Sequence, residues 1–184
     1  VSAETDLLLQ WPDDEFKVAW RRPLGKGFSA ISVADGRLFT MFADTAGGEF
    51  AICLDADTGR ELWRLRTGGY YKETQGGDGP RSTPTVDGDV VYILGAEGLL
   101  FALKASTGEQ LWQKSLVKEF GSDVPKWGFS TSPLVEEQLL LVEAGGVDGN
   151  VFVDMVIDRS AKATAVALDK TTGRTVWTAL DNKM

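Results

Sequence analysis

Apolar and polar residues alternate along much of the chain with a period of two, the signature of strands buried on one face. The alternation runs through "AISVADGRLFTMF" (30–42), "TPTVDGDVVYIL" (83–94) and "SPLVEEQLLLV" (132–142). Each stretch is broken once by a turn dipeptide, Asp35-Gly36, Asp87-Gly88 or Glu136-Glu137, and so predicts a hairpin. A second hairpin follows each of these. "LLFALKA" (99–105) and "ATAVALD" (163–169) are half-buried strands that run into a Thr-Gly turn and then a strand carrying Trp. The second hairpins contain one motif written three times: "LDADTGRELW" (54–63), "LKASTGEQLW" (103–112) and "LDKTTGRTVW" (168–177). Thr58, Gly59 and Trp63, Thr107, Gly108 and Trp112, and Thr172, Gly173 and Trp177 hold equivalent places, and the residue before each Trp is Leu or Val.

Two hairpins per copy make a four-stranded antiparallel unit, A to D, with a period of about 45 to 65 residues. Such a unit cannot bury both faces alone. Stacked copies around a channel can, so the pattern predicts an all-β fold, a β-propeller of four-stranded antiparallel blades. One Trp at a fixed place per copy suits a flat side chain laid against the next blade, its N–H finding a partner there. The expected organisation is a lead-in over 1–15, an orphan outer strand over 16–24 carrying Trp20, blade 1 over 25–66, blade 2 over 67–115 and blade 3 over 116–180. Three blades and one extra strand do not close a ring, so the chain is expected to be part of a longer propeller, with the remaining blades as its partners.

Composition narrows the chemistry. The net charge of −8 and the absence of a basic stripe argue against nucleic acid as the partner. No apolar run approaches the ~20 residues of a transmembrane helix. The chain has no histidine and one cysteine, Cys53. This removes Ser-His-Asp chemistry, His-ligated metals and an internal disulfide, and leaves Cys53 as a small core residue.

With A up, B down, C up and D down, the D–A and B–C connections share one face. The long segments 67–81, 116–128 and 145–162 all fall there, which makes it the candidate working face. It carries Tyr70, Tyr71, Phe120 and Trp127, the basic Arg81 and Lys126, and Asp78, Asp123, Asp148, Asp154 and Asp158. Arg81 and Trp127 precede innermost strands and are expected to border the channel mouth, where a guanidinium and an aromatic plane suit a flat anionic ligand. They are the candidate cofactor-binding residues, set against the plainer reading that Trp127 packs under its own loop and Arg81 pairs with a carboxylate. No catalytic residue is assigned. "GGVDGN" (145–150) lacks the ligand spacing of a calcium loop and is read as a Gly-rich turn, so no metal site is assigned. "GGDGP" (76–80) opens no helix and is not a phosphate cradle.

The motifs "CLDADTGRELW", "ALKASTGEQLW" and "ALDKTTGRTVW" resemble the Ala-x-Asp-x-x-Thr-Gly-x-x-x-Trp repeat of the pyrroloquinoline-quinone (PQQ) type propellers, over about Phe16 to Leu180. The second copy departs from the pattern at Lys104 and Ala105. The resemblance implies the fold and two activities. Members similar to the outer-membrane assembly factor BamB keep the blades as a binding scaffold without cofactor. Quinoprotein alcohol dehydrogenases hold PQQ and calcium in the channel and oxidise alcohols with an Asp base. The adjacent cysteine pair of the methanol- and ethanol-oxidising members is absent here, and their catalytic Asp and calcium set find no match. The resemblance favours a non-catalytic propeller in the periplasm or otherwise outside the cytoplasm, binding a protein or small ligand on the long-loop face. The PQQ-dependent dehydrogenase remains the alternative.

Overall fold

The computed structural model describes residues 18–144 and 165–179. The expected lead-in, Phe16 and Lys17, and the 145–162 segment with Asp148, Asp154 and Asp158 lie outside them.

The described residues form three four-stranded antiparallel sheets, each in sequential strand order. Blade 1 is β1 (Ser32–Ala34), β2 (Arg37–Asp44), β3 (Gly48–Asp55) and β4 (Glu61–Gly68). Blade 2 is β5 (Thr85–Asp87), β6 (Val90–Leu94), β7 (Leu99–Lys104) and β8 (Gln110–Ser115). Blade 3 is β9 (Leu134–Glu136), β10 (Leu139–Glu143), β11 (Ala165–Asp169) and β12 (Thr175–Ala179). The fold is a partial β-propeller. One short helix, α1 (Leu116–Phe120), opens the 116–128 connection. The Ser115 side chain accepts from the Lys118 N–H at its start, and Gly121 closes it at φ +62°.

Two of the first-hairpin turns sit one residue later than the turn dipeptides suggested. The turn is Asp35-Gly36 in blade 1 but Gly88-Asp89 in blade 2 and Glu137-Gln138 in blade 3. Asp87 and Glu136 are the last residues of their strands. The leading turn residue takes positive φ in all three: Asp35 +47°, Gly88 +56° and Glu137 +49°. Register is set by which face each strand buries, and a one-residue slip would turn every side chain over.

The apolar residue before each Trp has a structural role. Cys53 pairs with Trp63 and Leu54 with Glu61, so Leu62 is skipped. Leu111 and Val176 are skipped in the same way. Each is the extra residue of a β-bulge, which kinks the outer strand and re-aims the Trp beside it. The residue facing each Trp is small: Cys53, Ala102 or Ala167, each fully buried. Burial pushes the Cys53 thiol up to about 11, so it is an inert core group.

The core lies between the blades. Phe39, Met41, Ala51 and Cys53 of blade 1 pack on Val91, Ile93, Phe101 and Leu103 of blade 2. Tyr92, Leu94 and Leu100 of blade 2 pack on Leu140, Val142, Val166 and Leu168 of blade 3, with Leu116 and Phe129 from the connection between them.

Residues 18–24 pair with no strand among the described residues. Trp20 nevertheless docks as an outer-strand Trp. Its Nε1–H donates to Ala56 O at 2.8 Å, as Trp63 donates to Ala105 O at 2.9 Å and Trp112 to Lys170 O at 3.1 Å. Each ring also lies on the glycine of the next motif. A Cβ added at Gly59, Gly108 or Gly173 would come within 2.5, 2.7 or 2.8 Å of it. The invariant Gly therefore serves both its turn, at φ near +70°, and the neighbouring Trp. Trp177, at the outer strand of blade 3, is 41% exposed.

Candidate functional site

The inner ends of the blades are joined by a ladder that the sequence reading did not identify. The Ala30 N–H donates to Thr83 Oγ1 at 3.2 Å, and the Thr83 N–H to Ser132 Oγ at 3.0 Å. Two residues on, Ser32 Oγ donates to Pro84 O and Thr85 Oγ to Pro133 O. The signal was present in "STPT" and "STSP", where a hydroxyl stands two residues before β5 and before β9.

The D–A and B–C connections do share a face. The Gly69 N–H, after β4, donates to Glu97 Oε2 in the β6–β7 turn at 3.1 Å. The Tyr71 hydroxyl lies 3.0 and 2.9 Å from the Pro125 and Lys126 carbonyls of the next connection. Burial raises the Tyr71 pKa, so the phenol stays a donor.

Arg81 and Trp127 converge on Gly76. A Cβ there would lie 2.6 Å from Arg81 Nη2, 3.3 Å from Glu73 Oε2 and 3.5 Å from Trp127 Cδ1. Arg81 is engaged by its own loop, donating to Gly77 O at 3.1 Å and Gly79 O at 3.3 Å, and its guanidinium lies 4.9 Å from the centre of the Phe28 ring. Neither a free anion clamp nor a simple carboxylate pair describes it. Glu73 accepts from the Gln75 and Gly76 N–H groups, and the Gly76 bond above all holds its carboxyl below the ordinary range. Trp127 does not pack under its loop. It is 46% exposed, with Lys126 Nζ 5.5 Å from its ring centre.

Beside this cluster is a cleft of about 430 Å³ between Gly25–Phe28 and Glu73, Gly77 and Asp78. Asp78 anchors its floor. It accepts from Lys26 Nζ at 2.9 Å, Tyr70 Oη at 2.7 Å and the Glu73 N–H at 3.1 Å. The Lys26 bond, then the Tyr70 bond, bring its carboxyl down to about 2. Phe28, on the cleft wall, is 58% exposed. The face thus presents two partly exposed aromatic rings, Phe28 and Trp127, each with a cation over it, beside charged groups held by the loop backbone and by the Lys26–Asp78 pair. Lys26 and Phe28, which the sequence reading left out of the site, are brought in by an isolated antiparallel bridge between Lys26 and Ala43.

The sequence matches the family described as outer membrane protein assembly factor BamB over residues 49–184. The chain belongs to this family of PQQ-type propellers. It resembles the crystal structure of BamB from Moraxella catarrhalis, with a TM-score of 0.51 and 20% identity over 82% of this chain and 36% of that one. It resembles a europium-containing methanol dehydrogenase, with a TM-score of 0.56 and 18% identity over 84% of this chain and 25% of that one. Among curated proteins it is 30% identical over 112 residues to a quinate/shikimate dehydrogenase (quinone) of Acinetobacter baylyi, 53% of this chain and 13% of that protein. The chain therefore spans a minor part of each relative. At these identities the solved structures show the fold.

PQQ and calcium are the groups the resemblance raises. Among the described residues no three His, Cys, Asp or Glu side chains come together as a metal site needs. Arg81, the candidate quinone partner, has its donors turned into its own loop. Trp127, the other candidate, keeps 46% of its surface exposed.

Proposed function

We propose that this chain is part of a non-catalytic binding propeller outside the cytoplasm, a scaffold that serves outer membrane protein assembly, as its family's description indicates. The observation that carries this reading is the state of the long-loop face. Asp78 is paired with Lys26, Arg81 and Glu73 are engaged by the backbone of the 69–79 loop, and Phe28 and Trp127 stand exposed. Aromatic anchors in a polar surround are the usual core of a protein–protein contact. Arg81, Glu73 and Asp78 then hold the 69–79 loop in shape, and the partner is a protein that covers the two rings. No helix among the described residues is long and apolar enough to cross a membrane.

The second reading, a PQQ- and calcium-dependent dehydrogenase, is favoured by the 30% identity to the quinate/shikimate enzyme. Thermal unfolding of the full-length protein with PQQ, with and without calcium, separates the two, because a ligand held only by the native state raises Tm. The scaffold reading expects no shift at saturating cofactor. It also expects loss of outer membrane protein assembly when Phe28 and Trp127 are both changed to Ala, with the fold retained. A calcium-dependent rise in Tm that disappears in Arg81→Ala and Trp127→Ala would establish the dehydrogenase instead.

A further inference from the structure

Glu49 opens β3, yet it is 1% exposed and sits where blade 1 meets blade 2. Its Oε1 accepts from Thr67 Oγ1 at 2.8 Å, at the end of β4. Its carboxylate also reaches across the boundary to the Ala96 N–H, with Oε2 at 3.1 Å and Oε1 at 3.3 Å. Glu97, the next residue of that turn, reaches back the other way to the Gly69 N–H at 3.1 Å. Two carboxylates from opposite blades thus hold each other's backbone. Gly95 makes room for this, since a Cβ there would lie 2.7 Å from Glu49 Oε1.

We propose that Glu49 and Glu97 form a reciprocal carboxylate clasp between blades 1 and 2, which tightens on acidification and so couples pH to the hold on the 69–79 loop. Gly69, which the clasp grips, is the first residue of that loop. The charged groups around Glu49 are few. Glu97 faces it from the β6–β7 turn. Arg66, on β4, has its Nε–H on Gly68 O at 3.2 Å rather than on either carboxylate. Tyr71, from the loop, has its hydroxyl on the Pro125 and Lys126 carbonyls. Burial first, and then the Glu97 charge, favour the neutral form of Glu49, against the pull of the Thr67 and Ala96 bonds. Neutral Glu49 still accepts both of those bonds, more weakly than the carboxylate does, and the relief of desolvation and of the Glu97 repulsion outweighs that loss. Ionised Glu49 keeps them but sets a second negative charge beside Glu97 in a poorly hydrated seam. A carboxyl whose pKa is raised on folding contributes stability that is full below the ordinary glutamate value of 4.5 and is lost as pH rises through the folded value.

Thermal unfolding of the full-length protein from about pH 4.5 to about pH 8 tests this, with Glu49→Gln and Glu97→Gln alongside. Wild type is expected to lose roughly 2–5 °C of Tm relative to E49Q as pH rises. E97Q keeps an acceptor for the Gly69 N–H, removes the like charge and shows a smaller loss. Hydrogen exchange, corrected for the intrinsic pH dependence, is expected to show Ala96 and Gly69 better protected at the acid end in wild type and equally protected at both ends in E49Q. Parallel Tm profiles for wild type and E49Q, or Ala96 and Gly69 protection that does not change with pH in wild type, overturn the proposal. If E49Q does not fold, an E97Q profile identical to wild type overturns it.

Discussion

Glu137 leads the first-hairpin turn of blade 3 at φ +49°, a conformation that a glutamate side chain disfavours. Blade 2 has Gly at that place, and blade 1 has Asp, which tolerates it better. Glu137→Gly is therefore expected to raise stability by about 1 kcal/mol, read from the urea midpoint at unchanged slope. The order of the blade 2 turn, Gly88-Asp89, answers a second residue-level need. In blades 1 and 3 the motif Asp caps its own second-hairpin turn. Asp55 accepts from the Thr58 hydroxyl at 2.6 Å, and Asp169 from the Thr172 hydroxyl at 2.8 Å. Blade 2 has Lys104 there, and the cap comes instead from Asp89, which accepts from the Ser106 N–H at 3.2 Å. The reversed turn dipeptide thus supplies, through Asp89, the carboxylate that the motif lacks at Lys104.

At the scale of elements, most strands could be read from period-two alternation, because each buries one face against a neighbouring blade. The turn positions could not, because Asp-Gly is a turn signal in either register and the choice is made by what the strands bury. The candidate site was legible in part. Arg81 and Trp127 do meet, at Gly76, but where Arg81 directs its donors depends on the loop carbonyls of Gly77 and Gly79, which carry no side-chain signal. Glu49 was invisible for a related reason. In "GGEFAICL" it reads as the solvent-facing start of a strand, and its burial is imposed by the next blade's turn. The 69–79 loop, held by Asp78, has its own acid limit. A carboxyl lowered to about 2 contributes stability that is full above the ordinary aspartate value of 3.8 and is lost as pH falls through about 2. Amide exchange of Glu73, whose N–H Asp78 accepts, is expected to speed up in Asp78→Asn at neutral pH. In wild type the same opening should appear only when the pH is brought toward that low value. Equal protection in the variant and wild type at neutral pH would remove Asp78 as the loop's anchor.

At the scale of the molecule, each boundary repeats one plan: the hydroxyl ladder inside, an apolar core in the middle, and a Trp on the next blade's Gly outside. The boundaries share blade 2 but few side chains. Cys53 and Phe39 serve one, Leu100 and Leu168 the other. Stability in such a stack is close to a sum of neighbour terms. Trp63→Phe and Trp112→Phe each keep a ring over the glycine and remove one N–H, leaving Ala105 O or Lys170 O short of a donor. Lys170 O also accepts from the Tyr92 hydroxyl at 3.1 Å, so Trp112→Phe should be the milder of the two. The expected costs are about 1–2 kcal/mol for Trp63→Phe and about 1 kcal/mol or less for Trp112→Phe, with the double variant additive to within about 0.5 kcal/mol. Trp177→Phe in this chain, at a half-exposed ring, should change stability by less than about 0.5 kcal/mol. Chemical denaturation of the wild type and the four variants measures all of this. A coupling well above 1 kcal/mol between Trp63 and Trp112 would mean that blade 2 transmits strain from one boundary to the other. The Glu49–Glu97 clasp would then influence blade 3 as well as the loop it holds.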